Sequence, residues 1–436
     1  MKNLKYFLLF AFTLSMLTSC LTIKNKKIEE LPLIDKLKNL KGVTVTKIST
    51  PYGYKEAYLL MIEQPIDHRH PEKGTFQQRV WLSFVDYDRP NVIITDGYSL
   101  PRNGIQEITQ MVNGNQIMVE HRYFGKSVPE EMDWTKLNLY QATNDLHRIR
   151  TILGEVFTMP WVSSGISKGG QTTIAYRFFF PDDVSASVPY VAPHTFARED
   201  DRVLTFLADE VGSNECRNKV IKFQHDVLAN KDSIMPKIQI FAKNKRMTFE
   251  AVGGFESGFE HGVLEFSFAF WQWGTSCSLI PNDVTNWDST LYVLKYVNPF
   301  DFFCDQEARD LRPYFYQALT EMGIYTYTTE PFKEYLEYAQ NPTFDFTMEG
   351  KIETHYSDSL NIAMNEWLQN EGNNFVYIYG GIDPWGACAV EVDNTKTNAL
   401  KLVAPNGSHT TRINSFDKET QTQILDSLEK WMNFEL

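Results

Sequence analysis

Apolar and polar residues alternate along two early stretches, Ala57 to Glu63 and Gln77 to Asp86. Alternation with a period of two marks a strand with one buried face. Four apolar runs follow, at Val92 to Thr95, Gln116 to Glu120, Trp161 to Ser164 and Ala186 to Val191. Two more, Phe375 to Tyr379 and Leu400 to Val403, return near the C-terminus. The later runs, short and continuous, fit strands buried on both faces of a parallel sheet. Helical periodicity lies between them, over Ile105 to Val112, Leu139 to Leu153, Gly169 to Phe179 and Phe416 to Met432. Strand–helix alternation on both flanks predicts an open α/β sheet.

The middle of the chain breaks this pattern. Residues 196 to 370 are aromatic-rich and helical in period, as in "FAREDDRVLTFLADEV" and "EPFKEYLEYAQ". The sheet pattern stops before them and resumes after them. A second independent domain would leave the returning strand without a sheet. The economical reading is one α/β domain, residues 41–195 and 371–436, with a helical cap inserted at 196–370. A chain of 436 residues, 43% hydrophobic, supports a core of that size. Its formal charge of −13 argues against a nucleic-acid partner, which needs a basic face.

The first twenty residues, "MKNLKYFLLFAFTLSMLTSC", carry Lys2 and Lys5 ahead of an apolar run from Tyr6 to Leu17. That is the layout of a secretory signal, too short to span a membrane comfortably. Leu17-Thr18-Ser19-Cys20 resembles the lipobox of bacterial lipoproteins, in which the cysteine is acylated. Residues 1–19 then form the signal peptide and 20–40 a polar tether. Leu21 replaces the aspartate that often retains lipoproteins at an inner membrane. The expected location is therefore the outer membrane, lipid-anchored, on its periplasmic or outer face. Cys216, Cys277, Cys304 and Cys388 remain, and four cysteines allow three disulfide connectivities. No C-x-x-C or H-E-x-x-H occurs, so neither a metal nor another cofactor is expected.

"WVSSGISKGGQTT", Trp161 to Thr173, holds the chemistry. A phosphate loop needs its lysine after the last glycine, and here Lys168 precedes Gly169 and Gly170. The G-x-S-x-G template fits as Gly165-Ile166-Ser167-Lys168-Gly169, between a strand and a helix. Its glycines are expected to let the chain turn sharply and present the serine. The order Ser, Asp, His, each after a strand, is completed by Asp383 in "VYIYGGIDPWG" and His409 in "LKLVAPNGSHTTR". Histidine would take the serine proton, and aspartate would fix its tautomer. The oxyanion donors would be the backbone N–H of Lys168 and one from Gly97 or Tyr98.

Six motifs in order then show a resemblance. They are "QPIDHRHPEKGTFQQRVWLSF", "VEHRYFGKS", "SSGISKGGQT", "LEFSFAFWQWG", "PYFYQALTEMGIY" and "GGIDPWGA". Together they resemble the prolyl tri/tetrapeptidyl aminopeptidases, secreted bacterial serine peptidases related to lysosomal Pro-X carboxypeptidase and dipeptidyl peptidases. The resemblance runs from about residue 60 to the C-terminus. It departs from the family at Ile166, where a second glycine is usual, and in its lipobox. It implies an α/β-hydrolase fold with a helical cap, and removal of short, proline-ending units from peptides with a free N-terminus. It assigns the triad to Ser167, Asp383 and His409. Holding the substrate's ammonium asks for a carboxylate, and Glu120, Glu265 and Glu321 lie in these motifs. Trp271, within "FAFWQW", is a candidate for the prolyl pocket. An esterase of the same fold, or a silent peptide-binding lipoprotein, is the alternative reading. Oligomeric state and the number of residues released per cut stay open.

Overall fold

The computed structural model describes residues 31–436. The signal peptide, Cys20 and most of the tether lie outside the described residues. The tether's last part folds. Residues Leu33–Lys38 form helix α1, whose Leu33 and Leu37, with Leu40 beyond it, are buried against the sheet. The spacing of these three leucines puts them on one face.

Nine strands make the main sheet. They are β1 (Val43–Lys47), β2 (Glu56–Pro65), β3 (Thr75–Phe84), β4 (Asn91–Thr95), β5 (Asn115–Val119), β6 (Trp161–Ile166), β7 (Ala186–Tyr190), and two that return late in the chain. A separate two-stranded ladder in the cap pairs β8 (Glu199–Asp200) with β9 (Ile324–Tyr325). The late strands are β10 (Val376–Gly380) and β11 (Leu400–Ala404). Strand order is β1-β2-β3-β5-β4-β6-β7-β10-β11. The β1-β2-β3-β5 pairings are antiparallel, and every pairing from β5 onward is parallel. All eight expected strands occur. The ninth, β1, has Thr44 and Thr46 between Val43 and Val45 and packs only partly buried at the sheet edge.

Alternation along the strands sorts the core into two layers. Ile93 and Ile117 point to the face covered by α1 and helix α2 (Leu139–Gly154). Val92, Ile94 and Met118 point to the opposite face. Helix α3 (Lys168–Phe179) follows β6. The cap contributes α4 (Asn214–Ala229), α5 (Lys231–Lys245), α6 (Phe255–Gln272) and α7 (Trp287–Val297). Helix α8 (Ser359–Asn370) bridges the two parts: its Met364 packs with Met322 of the cap and Ala175 of α3, and its Leu368 with Phe375 and Tyr377 around β10. Helix α9 (Lys418–Met432) closes the second layer. Asp417 caps it by accepting from the Thr420 N–H at 2.8 Å, and Ile424, Leu428 and Met432 face the sheet.

Cys216 of α4 is joined to Cys277, just beyond α6, while Cys304 and Cys388 are free and buried. The aromatic core of the cap continues without a break into Tyr123, Phe124, Leu137 and Trp385 of the α/β part.

Candidate active site

Ser167 is the single residue between β6 and α3, with φ +57° and ψ −123°. A non-glycine residue in that region is strained and persists only where its surroundings force it. Its N–H donates to the Tyr190 carbonyl at 2.9 Å, which fixes the turn to β7. The neighbouring glycines act differently from the sequence expectation. None of Gly165, Gly169 or Gly170 has positive φ. They provide clearance instead. A Cβ on Gly165 would lie 2.3 Å from the Gly169 carbonyl oxygen, and one on Gly169 would lie 2.2 Å from that of Thr95. The turn is pressed onto β4, and the positive φ falls on the serine. Ile166 simply ends β6 and is accommodated.

Parallel strands bring the other two residues to the same sheet edge. Asp383 follows β10, fully buried, and accepts from the Trp385 N–H at 3.2 Å. Its Oδ2 is 2.7 Å from Nδ1 of His409, which follows β11. With aspartate as acceptor, Nδ1 carries the proton and Nε2 is left as the base. The His409 N–H donates to the Gln272 carbonyl at 2.9 Å, and Trp273 meets the ring edge-on with centroids 5.9 Å apart. Among the described residues no hydrogen bond joins Ser167 Oγ to His409; in substrate-free hydrolases such contacts commonly tighten only on binding.

The oxyanion candidates separate. Lys168 opens α3, where a backbone N–H has no acceptor within the helix. A Cβ on Gly97 would lie 2.6 Å from the Gly169 nitrogen, so Gly97 sits directly against the elbow. The Tyr98 N–H instead serves Asp96, whose carboxyl burial pushes up to about 6 against that N–H and Lys168. What Tyr98 offers is its phenol. Burial raises its pKa, and the adjacent Ser167 hydroxyl partly offsets this.

Ser167 opens into a cavity of about 380 Å³ beneath the cap. Tyr98, Phe268, Trp273, Tyr314 and Trp385 form aromatic walls, and Glu265, Asp301 and Glu307 supply carboxylates. No lysine, arginine or histidine lines it among the described residues. Glu265 Oε2 accepts from Tyr325 Oη at 2.9 Å and Tyr327 Oη at 2.7 Å. Burial still pushes its carboxyl up to about 8. Tyr325 stacks on Phe268 with centroids 3.6 Å apart. Asp301 and Glu307 escaped the sequence reading, because "DFFCDQEARD" shows no pattern that separates them from solvated acids.

Three sequence candidates lie elsewhere. Glu120 is fully buried away from the cavity and accepts from the N–H groups of Leu100 and Lys126, from Ser127 Oγ and from Arg79. It braces the loops after β4 and β5. Glu321 accepts the Leu139 N–H at 2.7 Å and anchors the start of α2. Trp271 turns to the other side of α6, against Gly212 and a separate cavity. The "QPIDHRH" and "EHRYFG" motifs are likewise structural. Arg122, without exposed surface, forks onto Asp145 at 2.7 and 2.8 Å, and His68 Nε2 lies 2.7 Å from the same carboxylate. No grouping of acids, histidines and cysteines able to hold a metal occurs among the described residues.

Comparison with known proteins identifies the family. Residues 27–433 match the family model described as PS-10 peptidase S37. A prolyl tri/tetrapeptidyl aminopeptidase of Streptomyces mobaraensis is 30% identical over 403 residues, covering 91% of this chain and 84% of that one. A serine protease of Bipolaris victoriae, vicPb, is 35% identical over only 81 residues, 16% of this chain and 15% of that one. Among solved structures, a proline iminopeptidase of Mycobacterium smegmatis overlaps with a TM-score of 0.38 at 10% identity, covering 86% of this chain and 99% of that one. The parallel sheet, the serine elbow beyond β6 and the family match point one way: the chain belongs to the PS-10 peptidase S37 family and is a serine peptidase of the α/β-hydrolase fold.

Proposed function

We propose that this peptidase is an exopeptidase that releases short N-terminal units, tripeptides ending in proline foremost, through an acyl-enzyme on Ser167. The observation that carries the reading is the covered cavity. It joins the strained serine to aromatic walls and three carboxylates, with no cation among the described residues lining it to neutralise them. A cap over the serine excludes the middle of a folded chain. Glu265, Asp301 and Glu307 suit the ammonium of a peptide N-terminus, and the aromatic walls suit a flat prolyl ring. The name of the Streptomyces relative supports the same substrate class.

His409 Nε2 takes the Ser167 proton as Oγ attacks the scissile carbonyl. Asp383 holds the imidazole and stabilises its charged form. The Lys168 N–H, with Gly97 N–H or the Tyr98 phenol, receives the oxyanion. His409 then protonates the leaving amine, and water completes the second half by the same route. We further propose that the protein is exported and anchored to the outer membrane through Cys20; the lipobox supports this reading.

The test is product analysis by mass spectrometry on unblocked and N-acetylated peptides with proline at successive positions. Cleavage three residues from a free N-terminus, after proline, is expected. Equal turnover of blocked peptides would exclude the exopeptidase reading, and turnover of simple esters alone would favour an esterase.

A further inference from the structure

The side chain of Lys168 has no part in the mechanism above, which uses only its N–H. It is also anomalous. Lys168 has no exposed surface, and no group among the described residues lies within hydrogen-bond distance of its Nζ. Nζ lies instead over two rings, 5.8 Å from the centroid of Tyr98 and 5.6 Å from that of Phe124. An ammonium within about 6 Å of a ring face is attracted by its quadrupole. A buried amine without hydrogen bonds is costly, and its place directly after the nucleophile asks for a reason.

We propose that Lys168 is an electrostatic positioning residue: its buried positive charge, acting through the Tyr98 ring, supports the negative charge that develops beside Ser167. A cation against the ring strengthens the phenol as a donor, and because Nζ is buried its field is weakly screened by solvent. The proposal rests on the triad reading of Ser167.

The groups around Nζ come from three elements. Asp96 and Tyr98 lie on the loop after β4, His121 and Phe124 on the loop after β5, and Glu321 on the cap. Burial pushes the ammonium down to about 7, opposed by Glu321 and then Asp96. Burial, then Lys168, holds His121 well below its ordinary value, so it stays neutral and accepts or donates only to Gln317, 2.9 Å away. The charge at Lys168 is present below this pKa and lost as pH rises through it.

The test compares Lys168→Met and Glu321→Gln with wild type by steady-state kinetics on a tripeptidyl p-nitroanilide from pH 5 to 10, with Tm alongside. Lys168→Met should lower kcat on the order of 10- to 100-fold with KM unchanged, and abolish the alkaline fall in rate. Its Tm should hold or rise, because an apolar side chain of similar length replaces an unpaired buried amine. Glu321→Gln removes a carboxylate that favours the ammonium, so its alkaline limb should move to lower pH. A fall in rate matched by a fall in Tm, or wild-type kcat in Lys168→Met, or an unmoved limb in Glu321→Gln, would overturn the role of Lys168. A fluorophosphonate probe separates the two readings. Failure to label Ser167 in wild type removes the triad and this proposal with it; labelled wild type with an unchanged Lys168→Met removes this proposal alone.

Discussion

Glu265→Gln isolates the contact on which the proposed N-terminal recognition rests. The amide keeps an acceptor oxygen for Tyr325 and Tyr327 and nearly the same volume, so the cavity wall should survive. Burial pushes the carboxyl up to about 8, so at pH 7 without substrate most of it is neutral. A substrate ammonium must draw it into the ionised form. A hydrogen bond to a charged group contributes about 1.5–3 kcal/mol. Ionising a carboxyl with that pKa at pH 7 costs about 1 kcal/mol of this. The net is about 0.5–2 kcal/mol, or roughly 2- to 30-fold in kcat/KM. The assay is kcat/KM for a tripeptidyl p-nitroanilide with a free N-terminus and for its acetylated counterpart, on wild type and variant. Only the free peptide should lose rate in Glu265→Gln. The wild-type preference for the free peptide should grow from pH 6 to 8 as Glu265 ionises, then fall as the peptide amine, with a pKa near ~8, deprotonates. Stability carries the matching sign. A folded-state pKa above the ordinary value favours the neutral carboxyl, so its contribution is full below about pH 4 and is lost as pH rises through about 8. Glu265→Gln should flatten that loss. Equal losses on free and acetylated peptides, or no loss on either, would refute the assignment.

Ser167→Ala should cut turnover about 10⁴-fold or more, read by steady-state kinetics with a Tm control. Relief of the strained turn is no help to alanine, which also disfavours positive φ, so Tm should stay close to wild type. Cys20→Ala should move the protein from the membrane to the soluble fraction without changing specific activity, read by fractionation and N-terminal mass spectrometry; an unacylated wild-type N-terminus would contradict the anchor. Cys216→Ser opens a loop of 61 residues and should cost about 4 kcal/mol, seen as a lower denaturation midpoint under non-reducing conditions.

Much of the fold was legible because the signals were local. Eight strands and the helices around them could be placed from period alone, and Asp383 and His409 from their position after apolar runs. The cavity was not legible in this way. Glu265 faces it while Glu321, in a similar aromatic motif, anchors α2; only packing distinguishes them. Trp271 and Trp273 stand two apart on one segment, yet one faces Gly212 and the other His409. Helix α8 packs against both the cap and the sheet, with partners distant in sequence that no local pattern reveals. The glycines of the elbow were recognised for the right position and the wrong reason. Their constraint is the backbone of β4 pressed against them, which no local pattern reveals.

The hydrogen bond from His409 to the Gln272 carbonyl changes how the two halves of this molecule can be separated. The end of α6 holds the backbone of His409, the proposed general base, and Trp385, two residues past Asp383, packs at a steep angle against both rings of the stacked pair Phe268 and Tyr325 of the cap. The cap is thus a structural member of the proposed catalytic apparatus. Excising or exchanging it as a module would not yield an open hydrolase of broader scope, because the imidazole would lose its mooring. Calorimetry of the intact protein should accordingly show one melting transition for cap and sheet together, with activity vanishing at the same temperature as the fold.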